Sequence, residues 1–170
     1  MKKFSINTKR TSFFLWEPGD ITAAKKIWLD PDVSKYISAK GVFSEKEVES
    51  RLLLEVENQR KYGVQYWPFA DNDTNELIGC CGFRPYRDSG LEFGVHIRAK
   101  FWRKGFGTEA GAAAIAHCLE VLRPRTIMAG HNPKNTGSKQ LLSGLGFVFS
   151  HYEYYEPTGL EHPTYIYLPH

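Results

Sequence analysis

The segment LEFGVHIRA, Leu91–Ala99, alternates apolar Leu91, Phe93, Val95 and Ile97 with Glu92, Gly94, His96 and Arg98, which is the period of a strand with two unlike faces. A short basic loop, FWRKG, follows, and Gly105-x-Gly107 then opens the helical run FGTEAGAAAIAHCLEVL. Two glycines at a strand-to-helix turn let the backbone approach a ligand closely and aim the helix's unpaired N–H groups outward. The first turn of a helix also carries about half a positive charge. Arg103 and Lys104 add formal charge at the same place. Such a turn selects an anion, and a phosphate or pyrophosphate is the natural guest.

The flanking sequence limits the fold that can present this turn. Val64–Ala70 and Glu76–Phe83 are strand-like and joined by DNDTN, and Pro85–Gly90 turns into Leu91–Ala99, so three strands with short loops form an antiparallel meander. Upstream, Ser44-Glu45-Lys46-Glu47 is a capping box, Val48, Leu52 and Val56 recur at helical spacing, and Gly63 is placed to end the run; the pattern predicts a helix over Ser44–Tyr62. Before it, Thr11–Trp16 reads as a strand. Asp20 then caps a short helix that ends at Asp30-Pro31, and Asp32 caps a further helical turn. Downstream, Arg123-Pro124 stops the small-residue helix. A buried strand at Arg125–Gly130, a helix at Asn135–Gly146, a strand at Phe147–Tyr155, half-buried at Tyr152–Tyr155, and a last strand at Thr164–Leu168 complete the order. The expectation is one α/β domain of the α+β type over residues 1–170, with a mixed, largely antiparallel central sheet of about six to seven strands flanked by about four helices.

Composition excludes several classes of function. Lys plus Arg minus Asp plus Glu is 22 − 19 = +3, too mild for a general nucleic-acid binder. Three cysteines, with Cys80 and Cys81 adjacent, make no disulfide framework and suit a reducing compartment. By alternation at most one of the adjacent pair faces the core. MKKFSINTKR carries no apolar run behind its lysines, so it does not read as a signal peptide. Nor does any stretch approach the ~18 consecutive apolar residues of a membrane span. His117, His131, His151 and His162 lack metal-ligand spacing. A cytoplasmic protein with no metal, nucleic-acid or membrane partner is expected.

Three phosphate-binding patterns compete at the glycine turn. A Walker A loop needs its lysine after the glycines, whereas Lys104 precedes them. The dinucleotide fingerprint is matched formally by Gly105, Gly107 and Ala110, but it also needs an acidic residue at the end of the next strand. No Asp or Glu lies between Glu120 and Glu153, and the upstream strands form a meander rather than βαβ units.

The third pattern is Glu92-Phe93-Gly94-Val95-His96-Ile97, then Trp102-Arg103-Lys104-Gly105-Phe106-Gly107-Thr108-Glu109-Ala110, then Asn135-Thr136-Gly137-Ser138 and Gly146-Phe147, after the opening TKRTSFFLWEPGD. At these residues the chain resembles the GNAT superfamily of acyl-CoA-dependent N-acetyltransferases, in the branch containing the ribosomal-protein N-terminal acetyltransferases. Val95 and His96 stand where that branch carries an aromatic pair, and Arg103 where it carries a glycine. The resemblance implies a GNAT fold and acetyl-CoA as co-substrate. The amides of Arg103–Thr108 would cradle the pyrophosphate. The strand Gly94–Ile97 would splay from Arg125–Gly130 and pair with the pantetheine, placing Val95, His96, Ile97 and Asn135 beside it. Lys134 and Lys139 are further candidates for the phosphate charge.

Each reacting group also has a plainer reading. Asn135 is the N-cap of its helix, with pantetheine contact as an added role. Ser138 is either a helix serine or the proton donor to the departing thiolate; many relatives use a Tyr seven residues after the Asn, where this chain has Leu142. Glu92 is either a salt-bridged carboxylate or the base that deprotonates the amine through a water. His96, on the same face, is an alternative base with an ordinary pKa of about 6.5. The implied partners are acetyl-CoA and an amine acceptor: a peptide N-terminus, or alternatively a polyamine or antibiotic amine. A non-catalytic acyl-CoA-binding module is the competing class, and the chain is expected as a monomer or homodimer.

Overall fold

The computed structural model describes residues 1–168, with Asp88 described by its backbone only. The elements run β1 (Lys2–Asn7), β2 (Thr11–Leu15), α1 (Ile21–Trp28), α2 (Pro31–Ile37), α3 (Glu45–Tyr62), β3 (Tyr66–Asp71), β4 (Leu77–Tyr86), β5 (Gly90–Ile97), α4 (Phe106–His117), β6 (Ile127–Gly130), α5 (Thr136–Gly144), β7 (Phe147–Tyr155) and β8 (Leu160–Tyr167). The mixed α/β class is as the sequence indicates. Among the described residues, eight strands and five α-helices exceed the expected numbers slightly. The added strand is β1, whose KKFSIN sequence lies mostly exposed at a sheet edge and so lacks a strong apolar signal.

Local chemistry explains most of the boundaries. Ser44 Oγ accepts from Glu47 N while Glu47 Oε2 accepts from Ser44 N, so the capping box closes both ways at the start of α3. Gly63 ends that helix in the left-handed region at φ 70°. The turn expected after Asp32 is a full helix, and its cap is Asp30, whose Oδ1 accepts from Asp32 N at 3.0 Å. Asp20 precedes α1 but makes no cap hydrogen bond. Its carboxylate is already engaged by the N-terminal ammonium and Glu17 N.

The strands form one sheet in the order β1-β2-β3-β4-β5-β6-β8-β7. Every pairing is antiparallel except β5 with β6. Helices cover both faces. One core holds Phe13, Trp67, Phe83, Phe93, Ala110 and Ile115, and the other holds Trp16, Trp28, Val48, Leu52, Tyr66 and Cys80. Central strands buried on two sides read as unbroken apolar runs. The consequence corrects one expectation: Cys80 and Cys81 are both fully buried, one in each core. A second correction concerns β7, expected to be half-buried at Tyr152–Tyr155. It is the edge strand, and Tyr152, Tyr154 and Tyr155 are exposed. Among the described residues no helix is long and apolar enough to cross a membrane.

Candidate active site

The parallel pair β5–β6 comes apart almost as soon as it forms. Only Leu91↔Ile127 and Glu92↔Met128 are in register, while β6 continues along β8 through Gly130 and β5 continues along β4 through Ile97. The strands therefore fork after Glu92. Alternation tells which groups face the opening. Leu91 N donates toward β6, to Thr126 O at 2.9 Å, and Arg98 N donates toward β4, to Ile78 O at 3.0 Å. Odd-numbered residues of β5 thus direct their backbone groups toward β6, and Val95 presents both N–H and C=O to an edge with no strand on it. The Ile97 carbonyl is taken by Trp102 Nε1 at 2.6 Å. The backbone of His96 faces β4, opposite Cys80.

Because β5 and β6 are parallel, the helices that follow them both start at the open end of the fork. The turn into α4 uses two left-handed residues, Arg103 at φ 58° and Gly105 at φ 79°. The left-handed conformation explains why a glycine suits position 103 and what Arg103 costs there, about 1–2 kcal/mol of steric strain for a residue with a Cβ. Gly105 caps α4 without a side-chain hydrogen bond, and its carbonyl accepts from Glu109 N. The amides of Phe106, Gly107 and Thr108 are consequently the unpaired first-turn donors of the helix. A Cβ on Gly107 would stand 3.1 Å from Ile97 Cδ1 and 3.4 Å from Leu141 Cδ1, so this glycine lets α4 close onto both β5 and α5. Arg10, from the β1–β2 turn, fixes the loop from behind: Nη1 donates to Lys104 O at 3.0 Å, Nε to Glu109 Oε2, and its guanidinium lies 4.4 Å from the Phe106 ring centre.

At the start of α5, Asn135 Oδ1 accepts from Ser138 N at 3.1 Å, so Asn135 does cap its helix. Among the described residues Ser138 Oγ has no hydrogen-bond partner, and the Ser138 side chain is half-buried.

The other face of β5 carries side chains. Glu92, half-buried at the fork, makes no hydrogen bond among the described residues. Burial pushes its carboxyl above the usual range, the nearby Arg84 and Arg51 guanidinium groups pull it down, and Glu153 adds to the rise. Arg84 stands opposite Glu92 on β4, but its charge is taken by Glu55 of α3: Arg84 Nε reaches Glu55 Oε1 at 3.0 Å, and Nη2 bonds the same oxygen. Glu55 Oε2 accepts from Tyr66 N at 2.7 Å. His96 is buried, with Trp28 Nε1 3.2 Å from its Nδ1 and Tyr66 edge-on at 5.3 Å. An indole N–H can only donate, so Nδ1 is the acceptor and the neutral ring carries its proton on Nε2. Burial, with Arg51 and Arg84 adding to it, holds the imidazole pKa well below 6.5. His96 therefore has no lone pair to offer an amine, and the alternative base is removed.

Comparison with known proteins decides the family. Residues 10–148 match the family model described as acetyltransferase (GNAT) domain. The chain belongs to the GNAT acetyltransferase family. It is 26% identical over 145 residues to an uncharacterized N-acetyltransferase, p20, of Bacillus licheniformis, covering 84% of this chain and 82% of that one. A GNAT-family acetyltransferase from Bacillus anthracis superposes with a TM-score of 0.79 at 25% identity, over 96% of this chain and 97% of the other. A ribosomal L7/L12 alpha-N-protein acetyltransferase in complex with coenzyme A superposes with a TM-score of 0.79 at 13% identity, over 97% of each chain. This GNAT protein is an acyl-CoA-dependent acetyltransferase.

Several residues around the fork are not visible in the sequence pattern. Arg10 and Glu109 meet only through the fold. Arg51 and Glu55 carry a signal, because they share the α3 face with Val48 and Leu52, where polar groups must be paired or bound. Tyr66 and Trp28 have none, since an apolar run does not say which ring will stand against Gly94 and His96. A Cβ on Gly94 would lie 2.4 Å from Tyr66 Cζ. Gly94 is thus the position that admits this ring.

Proposed function

We propose that this acetyltransferase moves the acetyl group of acetyl-CoA to the α-amine of a peptide N-terminus, with Glu92 as the base. The observation that carries the proposal is the fork: one strand offers an unpaired backbone edge on one side and a half-buried, unbonded carboxylate on the other. The pantetheine would lie along Val95–Ile97, and the pyrophosphate on the amides of Arg103–Thr108 with the Lys104 charge beside them. Asn135, whose side-chain oxygen is occupied by its capping bond, has its NH₂ group left for the pantetheine amides.

Acetyl-CoA supplies a thioester, a carbonyl already activated toward an amine and bearing a thiolate that can leave. The rest falls to the protein. Val95 N–H donates to the carbonyl oxygen as charge grows there. Glu92 takes the proton from the amine through a water, and its raised pKa brings it nearer the operating pH of a base. Ser138 Oγ–H donates a hydrogen bond to the departing thiolate, which takes its proton from solvent. Only a neutral amine attacks, and an α-amine is about 10–15% neutral at pH 7 against about 0.04% for a lysine. A single carboxylate acting through water suits the first far better. The alpha-N-protein acetyltransferase among the structural neighbours points the same way.

The test is a competition assay with acetyl-CoA, offering short peptides with free N-termini, N-blocked peptides containing lysine, and spermidine. The free N-termini are expected to be acetylated first. Preference for lysine or spermidine would replace the α-amine with a side-chain or small-molecule amine.

A further inference from the structure

Arg51 is a cation near the fork that, among the described residues, the protein leaves unanswered. Its guanidinium lies over two aromatic rings, 5.1 Å from the centre of Trp28 and 5.4 Å from that of Phe43. Its Nε is sealed from solvent and has no hydrogen-bond partner. The carboxylate one helical turn along, Glu55, spends one oxygen on Arg84 and the other on Tyr66 N, and among the described residues no carboxylate lies within 4.0 Å of Arg51. Arginine cannot shed its charge, and an enclosed cation without a counter-ion is unfavourable.

Stacking on rings offsets part of that cost, but it uses only the faces of the guanidinium. The N–H donors point outward in its plane. Among the described residues no side-chain nitrogen of Arg51 has a hydrogen-bond partner, which leaves unused the planar edge that receives a carboxylate through two parallel hydrogen bonds. Glu92 is the complementary vacancy, an unbonded carboxylate whose ionisation the Arg51 charge favours. Arg84, which stands opposite Glu92 across β4 and β5, is already neutralised by Glu55. Among the described residues, Arg51 and Glu92 are therefore left without an ion-pair partner beside the fork.

We infer that the acceptor carries a carboxylate a few bonds from its reactive amine, and that Arg51 receives it while Glu92 meets the amine. The inference rests on the assignment of Glu92 given above. It disfavours polyamines, whose second charge is positive. The carboxylate has two sources, the α-carboxylate of a free amino acid or an acidic side chain near a peptide N-terminus, and matched acceptors separate them. Alanine against alaninamide probes the first; Ala-Asp-amide against Ala-Asn-amide probes the second.

With acetyl-CoA and the intact protein, the acid is expected to exceed its amide by at least about tenfold in kcat/KM in one of these pairs, mostly through KM. In Arg51→Met, which keeps an apolar stem against Trp28 and Phe43, that ratio should fall toward one. Calorimetric titration with the N-acetylated forms of the same compounds reads Arg51 without any amine or turnover. If no acceptor reacts yet the acetylated acid binds the wild type more tightly than Arg51→Met, the carboxylate site stands and the function proposed above fails. Equal use and equal binding of acid and amide by the wild type would overturn the inference, as would a preference that survives in Arg51→Met. Should that variant not fold, Arg51→Lys serves instead. It keeps the charge without the planar edge and is expected to reduce the ratio, and an unreduced ratio would again overturn the inference.

Discussion

The two sides of β5 are built from different materials. On the side facing β6 the site is backbone: the Val95 amide, the first-turn amides of α4 and a left-handed turn at Arg103 and Gly105. On the side facing α1 and α3 it is side chain: Glu92, His96, Arg84, Glu55 and Arg51. A backbone edge gives the same donors whatever the sequence of the strand, so it suits a ligand common to a whole family. A set of charged side chains depends on each residue type, so it suits an acceptor peculiar to one member. Of Val95 and His96, where the resembled branch carries an aromatic pair, only His96 belongs to the side-chain half; Val95 packs against the core under α4, and the backbone edge is left intact.

The division can be broken most decisively at Glu92. Glu92→Gln should lower kcat by roughly a hundredfold, at the modest end of acid–base effects, with the Kd for acetyl-CoA unchanged. The pH dependence follows from the raised carboxyl pKa. The proposed base works only when ionised, so wild-type activity should fall as pH drops through that pKa, and this acid limb should vanish in Glu92→Gln. The fold favours the protonated form of such a group. Its stabilising effect is present at low pH and lost as pH rises through the shifted pKa, so Glu92→Gln should melt higher than wild type near pH 8 and no differently near pH 4. An unaltered acid limb would take Glu92 out of the reaction and blur the proposed division.

Ser138→Ala probes the departing thiolate, a competent leaving group with a thiol pKa near about 8.5. A loss of kcat of about tenfold is expected, with binding intact; no loss would return Ser138 to an ordinary helix position. Gly107→Asp sharpens the backbone half when read beside Gly107→Ala. Both place a Cβ against Ile97 and Leu141, but only Asp adds a negative charge at the unpaired amides. Calorimetry should show acetyl-CoA bound at least about tenfold more weakly by Asp than by Ala, or 1.4 kcal/mol. Equal affinities would remove the turn from the phosphate site. The smallest effect is expected from Arg103→Gly. Release of the left-handed strain is partly offset by the greater freedom of an unfolded glycine. A net gain below about 1 kcal/mol should raise Tm by about 1–3 °C.

How much of this could be read from the sequence divides along the same line. The capping box at Ser44 and Glu47, Gly63 in its left-handed conformation and the glycine turn before α4 are local, and a residue pattern is enough to place them. Strand Phe147–Tyr155 was bounded correctly because Gly146 and Pro157 bracket it, yet its exposure depends on having no strand beyond it. Lys2–Asn7 gains its strand character from pairing with β2, and KKFSIN shows little of it alone. The alternation of β5 correctly separated Glu92 and His96 from Phe93 and Val95. It could not show that α1 and α3 cover the supposedly polar face, and so His96 looked like a base when Trp28 in fact holds its Nδ1. The Arg84–Glu55 pair joins residues 29 apart in sequence and leaves Arg51 unmatched, which no local pattern records.

The central claim is that acetyl-CoA lies along the open edge of β5 rather than on its side-chain face. Amide hydrogen exchange, followed residue by residue with and without saturating acetyl-CoA, tests it most directly. The account predicts strong protection of the Val95, Gly107 and Thr108 amides on binding, with His96 and Arg98, already directed into the β4 ladder, unchanged. Exchange at Val95 that is indifferent to bound acetyl-CoA would contradict it.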